Sequence, residues 1–356
     1  MRKAAISSGV IGVVLLVAAG LMAWWITPSY IARLPSSYNK TRTYDGTIRS
    51  LLDPATLATG NVAAAIKTGL PATLSEQVKV LQTSGNTAEV QDIRTIKTSG
   101  RTVGTTTEHY ALNRQTLEAT TSHPSNWSVT AAKGLTVSWP LGAKQQNYTG
   151  WVYLTQTTTP LRYVKQQQIS GINTYEYQAT VPPTPIKNPQ VLASLPKSLP
   201  VSLAGPISKA GLISPAQLAG LAKLFPHATS IPLGYTYQSA NTYWVAPSTG
   251  LVVQVSTNEK EMGGIALPTG KIIPLIPVLA DTYRASPSSL QAAVNDANSG
   301  SSAITTFGVV VPIVAACVGF LLVVLAVILW MRGRSRGRPV DQRHGESHPS
   351  PAGQVS

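Results

Sequence analysis

The chain has 356 residues, 43% hydrophobic and 12% charged, with 28 Lys and Arg against 14 Asp and Glu and a single Cys. That length admits a large core, one cysteine excludes an internal disulfide framework, and a basic excess without a dense Lys/Arg run argues against nucleic-acid binding. The excess also divides by position: residues 27–303 hold 21 basic and 12 acidic residues, the two ends 7 and 2. Spread so thinly, it fits an ordinary solvated surface, or attraction to anionic envelope polymers or lipid headgroups.

Arg2 and Lys3 precede an apolar run over residues 4–26 that ends in Trp24 and Trp25. Val17-Ala18-Ala19 would serve as a signal-peptidase site, but the run is long enough to span a bilayer and its Trp pair suits an interfacial belt. The sequence favours an uncleaved anchor. Residues 27–59 read as a membrane-proximal approach, with Pro28 and Pro35 stopping the helix, and 61–68 as a short helix. Beyond them Thr, Val, Tyr and Gln alternate, which predicts strands over 78–83, 88–98, 102–112, 134–139, 147–154, 161–169 and 172–181. In the last, Tyr175 and Tyr177 share one face.

Pro182, Pro183 and Pro185 read as a break. Ser214-Pro215 starts a helix that runs through Leu218, Leu221 and Leu224. Strands return at 231–239, 241–246 and 250–256, with Pro247-Ser248-Thr249-Gly250 as a tight turn, and Gly and Pro interrupt the pattern from Gly263 to Pro277. A last helix covers 288–297, and Ser299-Gly300-Ser301-Ser302 reads as a linker to the second membrane span. That span, Phe307–Met331, carries no charged side chain over 25 residues. Arg332, Arg334, Arg336 and Arg338 follow it, which places this end in the cytoplasm by the positive-inside rule.

The fold class expected is α+β: a β-rich antiparallel extracytoplasmic domain between an N-terminal and a C-terminal transmembrane helix. Its parts are a cytoplasmic N-terminus at 1–3, a transmembrane helix or signal anchor at 4–26, the outer domain at 27–303, a transmembrane helix at 304–331 and a disordered basic cytoplasmic tail at 332–356. Both termini lie in the cytoplasm and the large domain outside it. Close packing of the two spans through Gly12, Gly20, Gly308 and Gly319 is expected.

Gly134-Leu135-Thr136-Val137-Ser138-Trp139-Pro140, then Tyr148 and Trp151, then Gly171-Ile172-Asn173-Thr174-Tyr175-Glu176-Tyr177, with Trp244 to Gly250, together resemble a family of actinobacterial proteins of unknown function labelled the porin PorA family. Asn113 and Ala246 stand where that family carries Asp before its turns. The resemblance implies a two-span envelope protein.

Chemistry is thinly marked. The sequence has no nucleophile elbow, zinc-protease helix or phosphate loop. His109, His123 and His227 are singletons without a partner at metal-ligand spacing, and Asp92, Glu108, Glu118, Glu176 and Asp281 do not pair locally. No metal or cofactor is expected, and no catalytic residue. The aromatic residues Trp139, Trp151, Tyr175, Tyr177 and Tyr235 are the candidate ligand-binding set: they are either core or the lining of an apolar cavity with a basic rim from Lys133, Lys144, Arg162 or Lys165. The reading is a membrane-tethered binding or scaffolding protein of the cell envelope, partnered by the bilayer, with a lipid or glycolipid as the candidate ligand and no nucleic acid. A component of an envelope channel and an unrecognised envelope enzyme are the alternatives.

Overall fold

The computed structural model describes residues 2–335. The tail expected from residue 332 therefore lies, from 336 onward, outside the described residues. The chain divides into two units, one formed by the two ends and one by residues 28–304.

In the first unit, α1 (Arg2–Leu21) continues into π-helical turns over Met22–Ile31. Pro28 therefore does not end the helix, as the sequence suggested. At the other end, π-helical turns over Thr306–Val310 lead into a helix at Val311–Ser335. Contacts pair Gly9 with Ala326, Gly12 with Gly319 and Thr27 with Phe307, so the two helices run antiparallel. A Cβ on Gly12 would sit 2.6 Å from the Gly319 carbonyl oxygen and one on Gly319 2.7 Å from that of Gly12, so glycine is what lets the backbones touch. Gly308 lies against Thr27, whereas Gly20 meets nothing. Most other apolar side chains here, Ile6, Val13, Val17, Phe320 and Leu325 among them, face outward. Both helices are long and apolar enough to cross a membrane.

The second unit is built on one antiparallel sheet. Its elements are β1 (Asn39–Leu52), α2 (Pro54–Ala58), α3 (Val62–Ala65), β2 (Ile66–Lys67), β3 (Leu70–Ser84), β4 (Thr87–Thr98), β5 (Arg101–Asn113), β6 (Tyr148–Val152), β7 (Thr157–Ile169) and β8 (Ile172–Pro185). Then come α4 (Pro189–Ser194), β9 (Ser198–Pro200), α5 (Ala204–Lys209), α6 (Pro215–Leu224), β10 (Ser230–Val245), β11 (Val252–Ala266), β12 (Ile272–Ala285) and α7 (Pro287–Thr305); the second membrane helix is α8. The strand order is β5-β4-β3-β1-β12-β11-β10-β8-β7-β6, with β2 on β1 and β9 on β10.

This sheet curls until its edges approach. Leu112 of β5 bridges Ala119, Glu118 bridges Leu135, and Leu135 bridges Gly150 of β6. The guanidinium of Arg94 on β4 lies 4.5 Å from the ring centroid of Tyr153, just past β6, across what would be the open gap of a flat sheet. Closure removes the exposed strand edges that invite aggregation.

Several elements differ from the sequence reading. β1 is a central strand where a membrane-proximal approach was expected. Gly46 is what permits it: any Cβ there would collide with the Thr282 carbonyl on β12. Residues 134–139 form no strand, only two bridges, both at Leu135, and Gly134 turns the chain there at φ +72°. β8 runs on through its prolines: pairing with β7 stops at Ala179, so the missing N–H groups leave only the β10 side to satisfy, where a bulge intervenes. β11 likewise crosses Gly263 and Gly264 with bulges at Glu261/Met262 and Gly263/Gly264. The expected linker at 299–302 is helical, and Gly300 lets α7 rest on the Thr249 side chain.

The helix at 215 forms as the sequence indicated: Ser214 and Gln217 complete a capping box. Leu221 and Ile207 cover an apolar core with Leu57, Ile231, Tyr235 and Ile265. α7 is held by Asp296, which pairs with Arg42 and, at 3.0 Å, with Lys40, while Ala293, Val294 and Ala297 face inward.

Candidate binding site

Strand register decides which side chains share the inner, concave face. On β4 and β5, Val90 pairs with Tyr110, Asp92 with Glu108 and Arg94 with Thr106, while on β3 Glu76 pairs with Arg94. On the far side of β1, Ile48 pairs with Asp281, Glu259 with Asp281 and Ser239, and Glu261 with Tyr237. Paired residues in a sheet point the same way, so Glu76, Asp92, Glu108, Glu259, Glu261 and Asp281 all project inward. Half of the domain's twelve acidic residues thus face one interior.

That interior has two halves. In the first, Arg94 donates to Glu76 Oε1 at 2.9 Å and to Asp92 Oδ2 at 2.9 Å, and the Tyr44 hydroxyl donates to Glu76 Oε2 at 2.9 Å. Glu108 accepts from Asn188 Nδ2 at 2.6 Å and from the Thr130 hydroxyl at 2.8 Å. Asn188 also caps α4 by accepting from the Gln190 and Val191 amides, so one buried amide ties β5, β6 and α4 together. Burial still pushes the Asp92 carboxyl up to about 7, against the pull of Arg94.

In the second half Glu259 feels the charge of Arg94 across the interior, and Asp281 that of Arg49. Glu259 accepts from Asn241 Nδ2 at 3.2 Å, and burial raises its pKa. Glu261 makes no hydrogen bond or ion pair; burial and the Glu259 charge lift it to about 7. Asp281 is lifted to about 8 by burial and by the charges of Glu259 and Glu261. The Tyr283 hydroxyl faces the Asp281 carboxyl and interacts with it, both residues being only 3% and 2% exposed.

Enclosure and wetness coexist here. Tyr44, Arg94, Tyr153, Tyr243, Glu259 and Glu261 lie deep among other side chains, yet each keeps surface that water reaches. For Arg94 and Glu76 it is 25% and 22% of the side chain. The concave face of the sheet therefore carries an acidic, partly water-exposed surface. Further along β10, β11 and β12 lies an apolar cavity of about 40 Å³, lined by Tyr235, Gly263, Val278 and the cap residues Leu57, Ile207 and Leu221.

The five aromatic candidates do not converge. Trp139 packs on Tyr177 and Tyr243, with ring centroids 5.2 Å apart in each case, and Tyr163 meets Tyr175 and Tyr177 edge-on. Trp151 sits elsewhere, against Val137 and Ala132 in the cluster around Tyr110, and Tyr235 alone borders the apolar cavity. Of the proposed basic rim, Lys133, Lys144, Arg162 and Lys165 are all exposed, and only Lys165 reaches an acid, Glu176 at 3.8 Å. His109 lies 3.2 Å from Glu89, His123 stacks on Trp127, and no metal-binding group of three ligands occurs among the described residues.

The acidic interior was missed from sequence, although a signal existed. Val253, Val255, Thr257, Glu259 and Glu261 have one parity, as do Ala88, Val90, Asp92 and Arg94. Following the valines' face along each strand leads directly to the buried charges.

No curated protein matches the chain in sequence. Solved structures with some likeness include a conserved protein of unknown function with a hot dog fold from Alicyclobacillus acidocaldarius, at 12% identity, 70% of this chain, 79% of that one and a TM-score of 0.12. Another is acyl-CoA thioesterase II TesB2 from Mycobacterium marinum, at 11% identity, 69% and 80% coverage and the same TM-score of 0.12. So low a score carries no statement about fold or activity. The family model described as Porin PorA matches residues 6–328. With that match over most of its length and two helices fit to cross a bilayer, the chain is a membrane protein of the PorA porin family.

Proposed function

We propose that the chain is a two-pass, membrane-tethered binding protein of the cell envelope that holds a small polar solute inside its β domain. The observation that carries this reading is the concave face of the sheet, where six acidic side chains gather and Glu261 pairs with no other protein group. Groups so costly to bury persist where something pairs with them. Topology supports the same reading. The antiparallel spans put residues 2 and 332 at one end of the helix pair, and basic residues at both ends favour the cytoplasm, leaving 27–303 outside.

A lipid or glycolipid is the weaker ligand, because the apolar cavity of about 40 Å³ is roughly three water positions and cannot hold an acyl chain. The thin basic surface keeps anionic envelope polymers as candidate partners of the exterior. A second reading, a channel component, is favoured by the family's name; yet α1 and α8 expose apolar side chains nearly all round, so a pore would need further subunits. For catalysis the interior has weaker support, since Glu76, Asp92 and Glu108 are committed to Arg94, Asn188 and Thr130.

Native mass spectrometry of the full chain, extracted in detergent from its own membrane, tests the proposal. A bound species of a few hundred daltons that acid releases is the expected result. Bare protein, or phospholipid adducts alone, would overturn it.

A further inference from the structure

Where the chain enters the β domain, two arginines come together. Arg33 stands six residues past Thr27, the last residue of the first candidate span, so covalent reach keeps it within about 20 Å of the end of that span. Next to it, Leu34 donates its amide to the Arg114 carbonyl at 2.7 Å, and Arg114 Nε donates to the Leu34 carbonyl at 2.8 Å. Arg114 is only 5% exposed, its Nη1 reaches the Gly85 carbonyl at a long 3.4 Å, and no carboxylate pairs with it among the described residues. The charge that acts on it is that of Arg33, a second cation, which together with burial lowers its pKa. A buried guanidinium beside another positive charge is costly unless an anion joins them. Nη2 is available to one: it donates to no described protein group and is not sealed from water.

A second observation, independent of charge, comes from the same end of the domain. Val80 donates to the Tyr38 carbonyl, and the carbonyls of Gly85 and Asn86 hold Arg114, so the β3–β4 hairpin tip is packed against the chain that arrives from the helix. Within that tip β3 bulges between Val80 and Gln82, and the extra residue, Leu81, is turned out to 40% exposure. An exposed apolar side chain on the element that holds a cation pair, within a few residues of a span, matches the chemistry of a bilayer surface: anionic headgroups above an acyl region.

We propose that Arg33 and Arg114 bind the phosphate of an anionic phospholipid, with Leu81 entering the bilayer surface beside it. The site lies outside the barrel and does not depend on what the interior holds. A phosphodiester suits it because a guanidinium offers two parallel N–H groups to two oxygens of one anion. The tether supplies the rest, since a site fixed so close to the span meets lipid phosphate at high local concentration.

Native mass spectrometry of the full chain in detergent, titrated with phosphatidylglycerol and with phosphatidylcholine of the same acyl chains, tests this. Basic residues at the other end of the spans also attract phosphatidylglycerol, so the readout is the change that each substitution causes. Arg33→Gln and Arg114→Gln should each weaken phosphatidylglycerol about fivefold and leave phosphatidylcholine unchanged, while Arg101→Gln, at the opposite end of β5, should alter neither. If Arg114→Gln does not fold, Arg33→Gln decides. Unchanged phosphatidylglycerol binding in Arg33→Gln, an equal loss for both lipids, or the same loss in Arg101→Gln would overturn the proposal. Inorganic phosphate in excess should not displace the lipid; displacement would assign the pair to a free anion and overturn the lipid as its ligand.

Discussion

Replacing Glu261 by Gln should stabilise the protein, and only above neutral pH. The side chain forms no hydrogen bond, so the isosteric amide forfeits none, while removing a charge that burial disfavours. Its carboxyl titrates at 4.5 in the unfolded chain and at about 7 in the folded one. Folding therefore favours the protonated acid. Below about pH 4.5 both states are protonated and nothing is lost; stability falls as pH rises through that window, and above about 7 the full cost is present. A shift of this size corresponds to about 3 kcal/mol, which for a domain of this length is roughly 6 °C in Tm. Thermal unfolding of full-length wild type and Glu261→Gln in detergent, followed by circular dichroism in the strand region, should show equal Tm at pH 4.5 and a gain of roughly 6 °C for the variant at pH 8.5. A gain of the same size at both values, or a loss at pH 8.5, would refute the reasoning.

Arg94→Met leaves Glu76 and Asp92 buried without their cation and should cost about 3–5 kcal/mol, part of which Asp92→Asn returns in the double variant; denaturant titration of the four proteins reads the coupling. Asn188→Ala removes both the α4 cap and a donor to Glu108 and should lose about 1–3 kcal/mol by the same method. In a Cys317→Ser background, Gly9→Cys and Ala326→Cys should cross-link on mild oxidation, because a Cβ at position 9 lies 3.4 Å from that of Ala326. Adding Gly12→Leu should abolish the cross-link by forcing the helices apart, seen as a mobility change on non-reducing gels.

Composition and hydropathy were enough for the two apolar helices and the antiparallel β-rich domain between them, because both signals are local: unbroken apolar runs for one, alternation for the other. The Ser214 capping box was equally legible, being complete within four residues. β1 was not, since its stabilising partners on β3 and β12 are distant in sequence and its inward positions include Arg42 and Gly46. The prolines of β8 misled because their tolerance depends on which neighbour is missing, a property of the sheet and not of the segment. The aromatic candidates were a fair reading of burial, but Trp139 and Tyr177 pack against each other while Trp151 belongs to another cluster. The acidic chamber needed register to be seen: Glu259 and Asp281 are 22 positions apart and meet only when β11 and β12 pair.

The central claim is that small polar solutes reach this acidic interior in the folded protein, and thiol labelling measures that most directly. Ser239→Cys, in a Cys317→Ser background, places a near-isosteric thiol opposite Glu259 on the concave face. A small cationic methanethiosulfonate should modify it under native conditions faster than an anionic reagent of equal size, with the difference shrinking at high salt. Protection from both reagents until the protein is unfolded, or equal rates for the two, would contradict an acidic chamber open to solutes.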